Sequence, residues 1–347
     1  MNINNKRNQT ADILKGLAVI FMIQVHVMEQ FASLHANYSW LGKLSYFLGG
    51  PFCAPIFIAV MGYFLASSEK TLLCFIKRGV LLFSAGILLN IGRSFHLFIT
   101  IFQGKYNLDP LFFVFGADIL SLAGLSIIIL AFLRLISKKS LFLFIPIIIL
   151  FASLDNFINT ENQPIFFFFA YIIGDFDYSY FPLFPWFSYV LSGYVFKIIY
   201  DKFNHILSPF TYIHWTFVAL LTSVIIFFTP YAFNISMDLN IYYHHHFEFF
   251  LWVTGFMLLY VLLMNAITKE FGNSLSIKYI SWVGKNVTLI YVVQWLIIGN
   301  IATAIYQTQN FLECELWFIG ITLFSCFVTI IYQKIMDYNK ERNESLI

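Results

Sequence analysis

Apolar runs long enough to cross a bilayer recur from one end of this chain to the other. A hydrocarbon core about 30 Å thick needs about 20 apolar residues in a helix that rises about 1.5 Å per residue. The runs fall at 12–33, 46–67, 79–101, 112–135, 140–154, 183–200, 209–229, 248–267, 281–303 and 315–335, with 140–154 the shortest. Backbone polar groups find no water inside hydrocarbon, so such runs must be helices that satisfy themselves. The sequence therefore predicts an all-α, polytopic integral membrane protein of about ten transmembrane helices. The segments between the runs are too short for a soluble domain, so residues 1–347 read as a single membrane-embedded domain. Composition points the same way: 11% of residues are charged and the mean hydropathy is +0.78, whereas soluble chains carry about 25% charged residues.

Ten crossings place both termini on one side. The loops on that side collect the cations, from Lys6 and Arg7 through Lys70, Lys77, Arg78, Lys138, Lys139 and Lys269 to Lys340 and Arg342, while the opposite loops hold only Lys43 and Lys105. Cytoplasmic loops carry the excess of Lys and Arg, so both termini are expected in the cytoplasm and the protein in a cell inner membrane. The first run carries Lys15, His26 and Glu29 with no small-residue cleavage site after it, and reads as a retained helix. A net charge of +2 offers no field suited to nucleic acid. The cysteines, Cys53, Cys74, Cys314 and Cys326, fall at different expected depths and are read as free thiols.

Ionisable groups at membrane depth cost about 3 kcal/mol each on insertion scales, so each one asks for a function. The first run holds the densest set. Asp12, Lys15, Val19, Met22, His26 and Glu29 are spaced by three or four residues, which at 100° per residue puts all six on one stripe. That face must point into protein or a water-filled chamber. Lys15 and His26 stand about 16 Å apart along the axis, the cation near the cytoplasmic surface and the histidine deep. A histidine takes a proton from an attacking hydroxyl or amine near neutral pH, and Glu29 one turn away suits orienting its ring. A cation at the cytoplasmic surface suits phosphates of a nucleotide-bearing donor.

Other polar groups in the runs are Asn90, Arg93 and His96, then Asp118, His214, Lys285 and Asn286. Arg93 is always charged and sits in an otherwise apolar stretch; a contact to donor or acceptor and a plain pair with Asp118 are both open. Lys285 is expected to snorkel to the headgroups. The run His244 to His246 does not place consecutive rings around one ion, so no metal is expected. Two longer outer segments, 155–182 with Asp155, Glu161, Asp175 and Asp177 and 230–247, set acids or histidines among aromatic rings. That mixture suits a sugar, although most aromatic residues of a membrane protein form its interfacial belt.

The opening run, RNQTADILKGLAVIFMIQVH, resembles that of the acyltransferase-3 family and of its heparan-alpha-glucosaminide N-acetyltransferase-like relatives. There an Asp precedes a basic residue and Gly, and a His follows after an apolar stretch. Lys15 stands at the position that is Arg in acyltransferase-3 proteins, with His26 at the histidine; charge and spacing are kept and the bidentate fork is lost. Three further stretches are similar to the N-acetyltransferase-like group: Gly49–Ser67 (GGPFCAPIFIAVMGYFLAS), Phe181–Gly193 (FPLFPWFSYVLSG) and Gly284–Trp295 (GKNVTLIYVVQW). In the last, Thr288 replaces a Ser and Gln294 a His.

The resemblance implies a membrane acyltransferase that moves an acyl group, usually acetyl, from cytoplasmic acetyl-CoA to a glycan or glycolipid acceptor. It implies His26 as the essential histidine. The expected roles are then His26 as general base with Glu29 beside it, and Lys15 and Arg93 as contacts to donor or acceptor. The alternative reading is a transporter or flippase of a small polar or lipid-linked substrate, since buried charges also mark transport paths. The acceptor, the choice between O- and N-acylation, and the oligomeric state are not readable from the sequence.

Overall fold

The computed structural model describes residues 8–154, 167–172, 178–203 and 212–344, with side chains from 216 to 342 in the last stretch. Asp155, Glu161, Asp175, Asp177 and the side chain of His214 lie outside the described residues. In chain order the helices are α1 (Gln9–Phe31), α2 (Leu34–Tyr38), α3 (Trp40–Gly49), α4 (Ala54–Ala66), α5 (Leu72–Arg93), α6 (Phe95–Phe102), α7 (Pro110–Val114) and α8 (Ile119–Ile136). They continue with α9 (Leu141–Ser153), α10 (Leu183–Phe203), α11 (Tyr212–Met237), α12 (Leu239–Tyr243), α13 (Phe247–Phe271), α14 (Leu275–Lys285), α15 (Val287–Ile305) and α16 (Phe311–Glu344). Among the described residues the only β-type pairing is one isolated bridge, Ala32 with Gln309. The chain is an all-α, polytopic membrane protein.

Every expected run falls on helix, but four of them are broken. The run at 46–67 is α3 and α4 around Gly49, Gly50 and Pro51, and that at 79–101 is α5 and α6 around Ser94. The run at 112–135 is α7 and α8, where Asp118 accepts the Leu120 N–H at 3.1 Å as an N-cap, and that at 281–303 is α14 and α15 around Asn286. Helix α5 also starts at Leu72 rather than 79, because Thr71 caps it by accepting the Cys74 N–H. Lys77 and Arg78 ride on its exposed face. Hydropathy sees the apolar sum of a run; it does not see a cap in the middle.

Eight stretches are long and apolar enough to cross a bilayer among the described residues: α1, the α3–α4 pair, α5, α8, α11, α13, α15 and α16. The other two expected crossings differ for physical reasons. Helix α9 has 13 residues, about 20 Å of length, and α10 ends in Lys197, Asp201 and Lys202 with non-helical backbone at Phe184.

Helix α1 is the hub, packed by α3, α4, α13, α14, α15 and α16. Its stripe therefore faces protein, as the cost of buried charge demands. Two crossings are drawn close by glycine, the residue that lets backbones approach where hydrophobic attraction between helices is absent. A Cβ on Gly62 of α4 would overlap the Val190 carbonyl, and one on Gly193 of α10 the Ala59 carbonyl. Gly16 of α1 and Gly284 of α14 make the equivalent contact with the Ile280 and Asp12 carbonyls.

Candidate active-site cavity

Three of the four helix breaks converge beside α1 and line a cavity of about 500 Å³. Its wall takes Gly49, Gly50, Cys53 and Ala54 from the α3–α4 break, Arg93 and Ser94 from the α5–α6 break, and Asp118 and Ile119 from the start of α8. A broken helix exposes backbone polar groups that an intact helix consumes, so breaks at membrane depth belong around a polar chamber. Met22, His26 and Glu29 of the α1 stripe form another wall, and Tyr291 and Trp295 of α15 a third. The link from α15 to α16 docks on the end of α1 through Gln307 N–H to Gln30 O at 3.1 Å, Gln309 N–H to Phe31 O at 2.8 Å and Ser33 N–H to Gln309 O at 2.7 Å. Gln307 takes a left-handed φ of 53° in doing so, a conformation a non-glycine residue adopts only where its surroundings hold it. Tyr306, next in line, thereby reaches the cavity.

His26 is fixed by α15. Its Nδ1 lies 3.3 Å from Gln294 Oε1, and an amide oxygen only accepts. In the tautomer that donates from Nδ1 to this oxygen, Nε2 keeps its lone pair. The imidazole also rests on the Trp295 indole, with ring centroids 4.0 Å apart. Gln294 is fully buried, so the hydrogen bond does not compete with solvent. Glu29 lines the same cavity but is not the group that holds the ring.

Of the two readings left open for Arg93, the structure contains the pair with Asp118. Its Nη1 stands 3.4 Å from Asp118 Oδ2, and its guanidinium lies 4.5 Å from the Trp295 ring. Asp118 is held in turn by the Tyr291 hydroxyl, which donates to Oδ1 at 2.6 Å. An arginine with a carboxylate partner and an aromatic face keeps its charge at this depth and still turns further N–H groups toward the chamber. Trp295 thus touches both His26 and Arg93, tying the α1 and α5 contributions together.

Glu29 faces a ring of phenols. Tyr180, Tyr243 and Tyr306 all line the cavity with it. Burial pushes these three hydroxyls up, and the neighbouring carboxylate adds to the push, while Arg93 opposes it at Tyr180. They remain neutral hydrogen-bond donors, a set that recognises hydroxyl and carbonyl oxygens.

Lys15 is placed apart. It pairs with Asp12 at 3.0 Å and lies 5.9 Å from the Phe64 ring, one end of α1 away from the cavity. Buried Val19 stands between them on the stripe. Of the four residues singled out by sequence, His26, Glu29 and Arg93 share the chamber and Lys15 does not. Lys285 is exposed at the α14 terminus, as snorkelling requires. The histidine run is structural at its centre: His245 Nδ1 donates to Tyr242 O at 2.7 Å and Nε2 sits 2.8 Å from the Tyr189 hydroxyl. Sequence reasoning missed Tyr291, whose only signal was a place one turn before Trp295, and the tyrosine ring, which resembled an interfacial belt.

Fold and site together define a polytopic membrane protein with a histidine-bearing chamber lined by its helices. The chain belongs to the family described as heparan-alpha-glucosaminide N-acetyltransferase, catalytic, which matches residues 7–229. This is a membrane acetyltransferase kind of protein. No curated protein and no solved structure matches the chain. The matched stretch holds α1 to α10 and part of α11, so the α15 residues that hold His26 and stack on Arg93 lie beyond it.

Proposed function

We propose that the chain is an inner-membrane acyltransferase that moves an acyl group, acetyl, from cytoplasmic acyl-CoA to a carbohydrate of the cell envelope. The single observation that carries this reading is His26, held at Nδ1 by Gln294 and set in the wall of a polar chamber, within a family of acetyltransferases. In the proposed step the acceptor hydroxyl or amine gives its proton to His26 Nε2 as its oxygen or nitrogen bonds to the thioester carbonyl carbon. The carbon–sulfur bond then breaks, and the histidine returns the proton to the leaving thiolate, giving free CoA thiol and the acylated acceptor. Arg93 faces the negative charge that develops on the carbonyl oxygen, worth about 3 kcal/mol where such a group is well placed. Glu29 and the tyrosine ring bind the sugar.

Lys15 lies at the cytoplasmic end of the same helix and contacts the phosphates of the donor, with its Asp12 partner exchanged for them. The whole chain acts as one domain with both termini in the cytoplasm. A deletion strain tests the assignment: mass spectrometry of its envelope polysaccharides shows one species short of an acetyl group, restored by the wild-type chain and not by His26→Ala. Unchanged polysaccharide in the deletion strain overturns it.

One observation favours a second reading. Breaks in three helices around a central chamber also build transport paths. Flux of a hexosamine or lipid-linked sugar through proteoliposomes in the absence of any acyl-CoA supports transport, and no flux removes it.

A further inference from the structure

The α5–α6 break puts Arg93 at the last position of one helix, and such an end leaves backbone groups unpaired on both sides. Gly92 offers a carbonyl and His96 an N–H, and one side chain serves both. Asn300 of α15 donates from Nδ2 to Gly92 O at 2.8 Å and accepts the His96 N–H at Oδ1, also at 2.8 Å. Nδ2 donates in addition to Leu296 O at 2.8 Å, and the Asn300 carbonyl accepts from His96 Nδ1 at 3.0 Å. The residue before it, Gly299, lies so close that a Cβ there would overlap the Arg93 carbonyl. Only an amide offers a donor and an acceptor at this spacing. Asn300 itself is not among the α15 residues that line the cavity, which are Tyr291, Trp295, Gly299, Ala302 and Thr303.

We infer that Asn300 is the positioning residue for Arg93: by clamping the two helix ends it fixes the backbone from which the guanidinium reaches Trp295 and Asp118. The inference rests on the acyl-transfer reading for its consequence in turnover, but not for its geometry. Without the clamp, the His96 N–H loses its partner and Gly92 O keeps only the local Ser94 N–H, α5 and α6 shift relative to each other, and the guanidinium leaves the indole face. Asn300 acts through Arg93 and not on the reactants.

Two measurements on the full-length protein in nanodiscs test this. The first is 19F NMR of protein labelled with 5-fluorotryptophan, in which the Trp295 resonance among the seven is assigned by Trp295→Phe. Arg93→Ala moves that resonance, and Asn300→Ala and the near-isosteric Asn300→Asp move it in the same direction. An unmoved Trp295 resonance in folded Asn300→Asp overturns the inference. The second is a double-mutant cycle on acetyl transfer from acetyl-CoA to glucosamine as the acceptor probe. Asn300→Asp lowers kcat/KM about tenfold in the wild-type background and changes nothing in the Arg93→Ala background. Equal losses in both backgrounds mark an independent structural role and overturn it. A wild-type protein that acetylates no envelope acceptor removes the acyl-transfer reading, and the NMR result then decides the positioning by itself.

Discussion

His26 works or fails by which of its ring nitrogens is free. Gln294 Oε1 accepts a hydrogen bond from Nδ1 and so leaves the Nε2 lone pair free, a role that a leucine of similar volume does not fill. Gln294→Leu is expected to lower kcat for acetyl transfer by about tenfold to a hundredfold with the protein still folded, measured by release of CoA thiol. An unchanged kcat in that variant contradicts the assigned tautomer. Behind the cavity lining, burial holds His245 down to about 3, against the raising effect of its bond to Tyr242 O. A histidine depressed in the folded state is neutral there and takes a proton on unfolding below about 6.5. Its contribution is thus full above about pH 6.5 and is lost as the pH falls from there toward 3. The thermal midpoint is expected to drop more steeply over that window for wild type than for His245→Asn, whose starting midpoint is lower. Among single residues, His26, Glu29 and Arg93 were legible because charge in an apolar run is costly. Gln294 was marked only by the resemblance, as the residue in place of a His, and Tyr291 and Asn300 not at all, since neutral polar side chains are cheap in a helix and their partners sit on distant elements.

At the scale of elements, the breaks make the site and the glycines set its frame. Gly193 and Gly62 let α10 and α4 cross with backbones touching, whereas Gly320 of α16 has open space around its Cβ direction. Gly193→Leu is expected to abolish monodisperse protein in detergent, and Gly320→Ala to leave the thermal midpoint unchanged or slightly higher; size-exclusion profiles and melting curves read both. The motif stretches Gly49–Ser67, Phe181–Gly193 and Gly284–Trp295 gain a physical meaning here. The first two supply the glycine crossing, and the third runs from the Gly284 contact with α1 to Gln294 and Trp295 at His26. Helix identity was readable because apolar runs of this length have one fold. The breaks were not, because a hydropathy window averages across a cap such as Asp118 or a turn such as Gly49 to Pro51.

For the whole molecule, charge bias gives the expected orientation, and the proposed chemistry takes its direction from it. Lys15 and the cavity occupy opposite ends of α1; in the proposed reaction this separates donor phosphates on the cytoplasmic side from an acceptor that enters from outside. With the native cysteines removed, Lys105→Cys is expected to react with an impermeant maleimide in intact cells, and Lys340→Cys only after the membrane is opened. The reverse labelling overturns the orientation. The central claim, that this chamber acylates through His26, is tested most directly with purified protein in vesicles, given radiolabelled acetyl-CoA and envelope glycan extracted from a deletion strain. The account predicts label in the glycan fraction with the wild-type chain and none above background with His26→Ala at equal incorporation. Equal label with both proteins, or none with either, contradicts it.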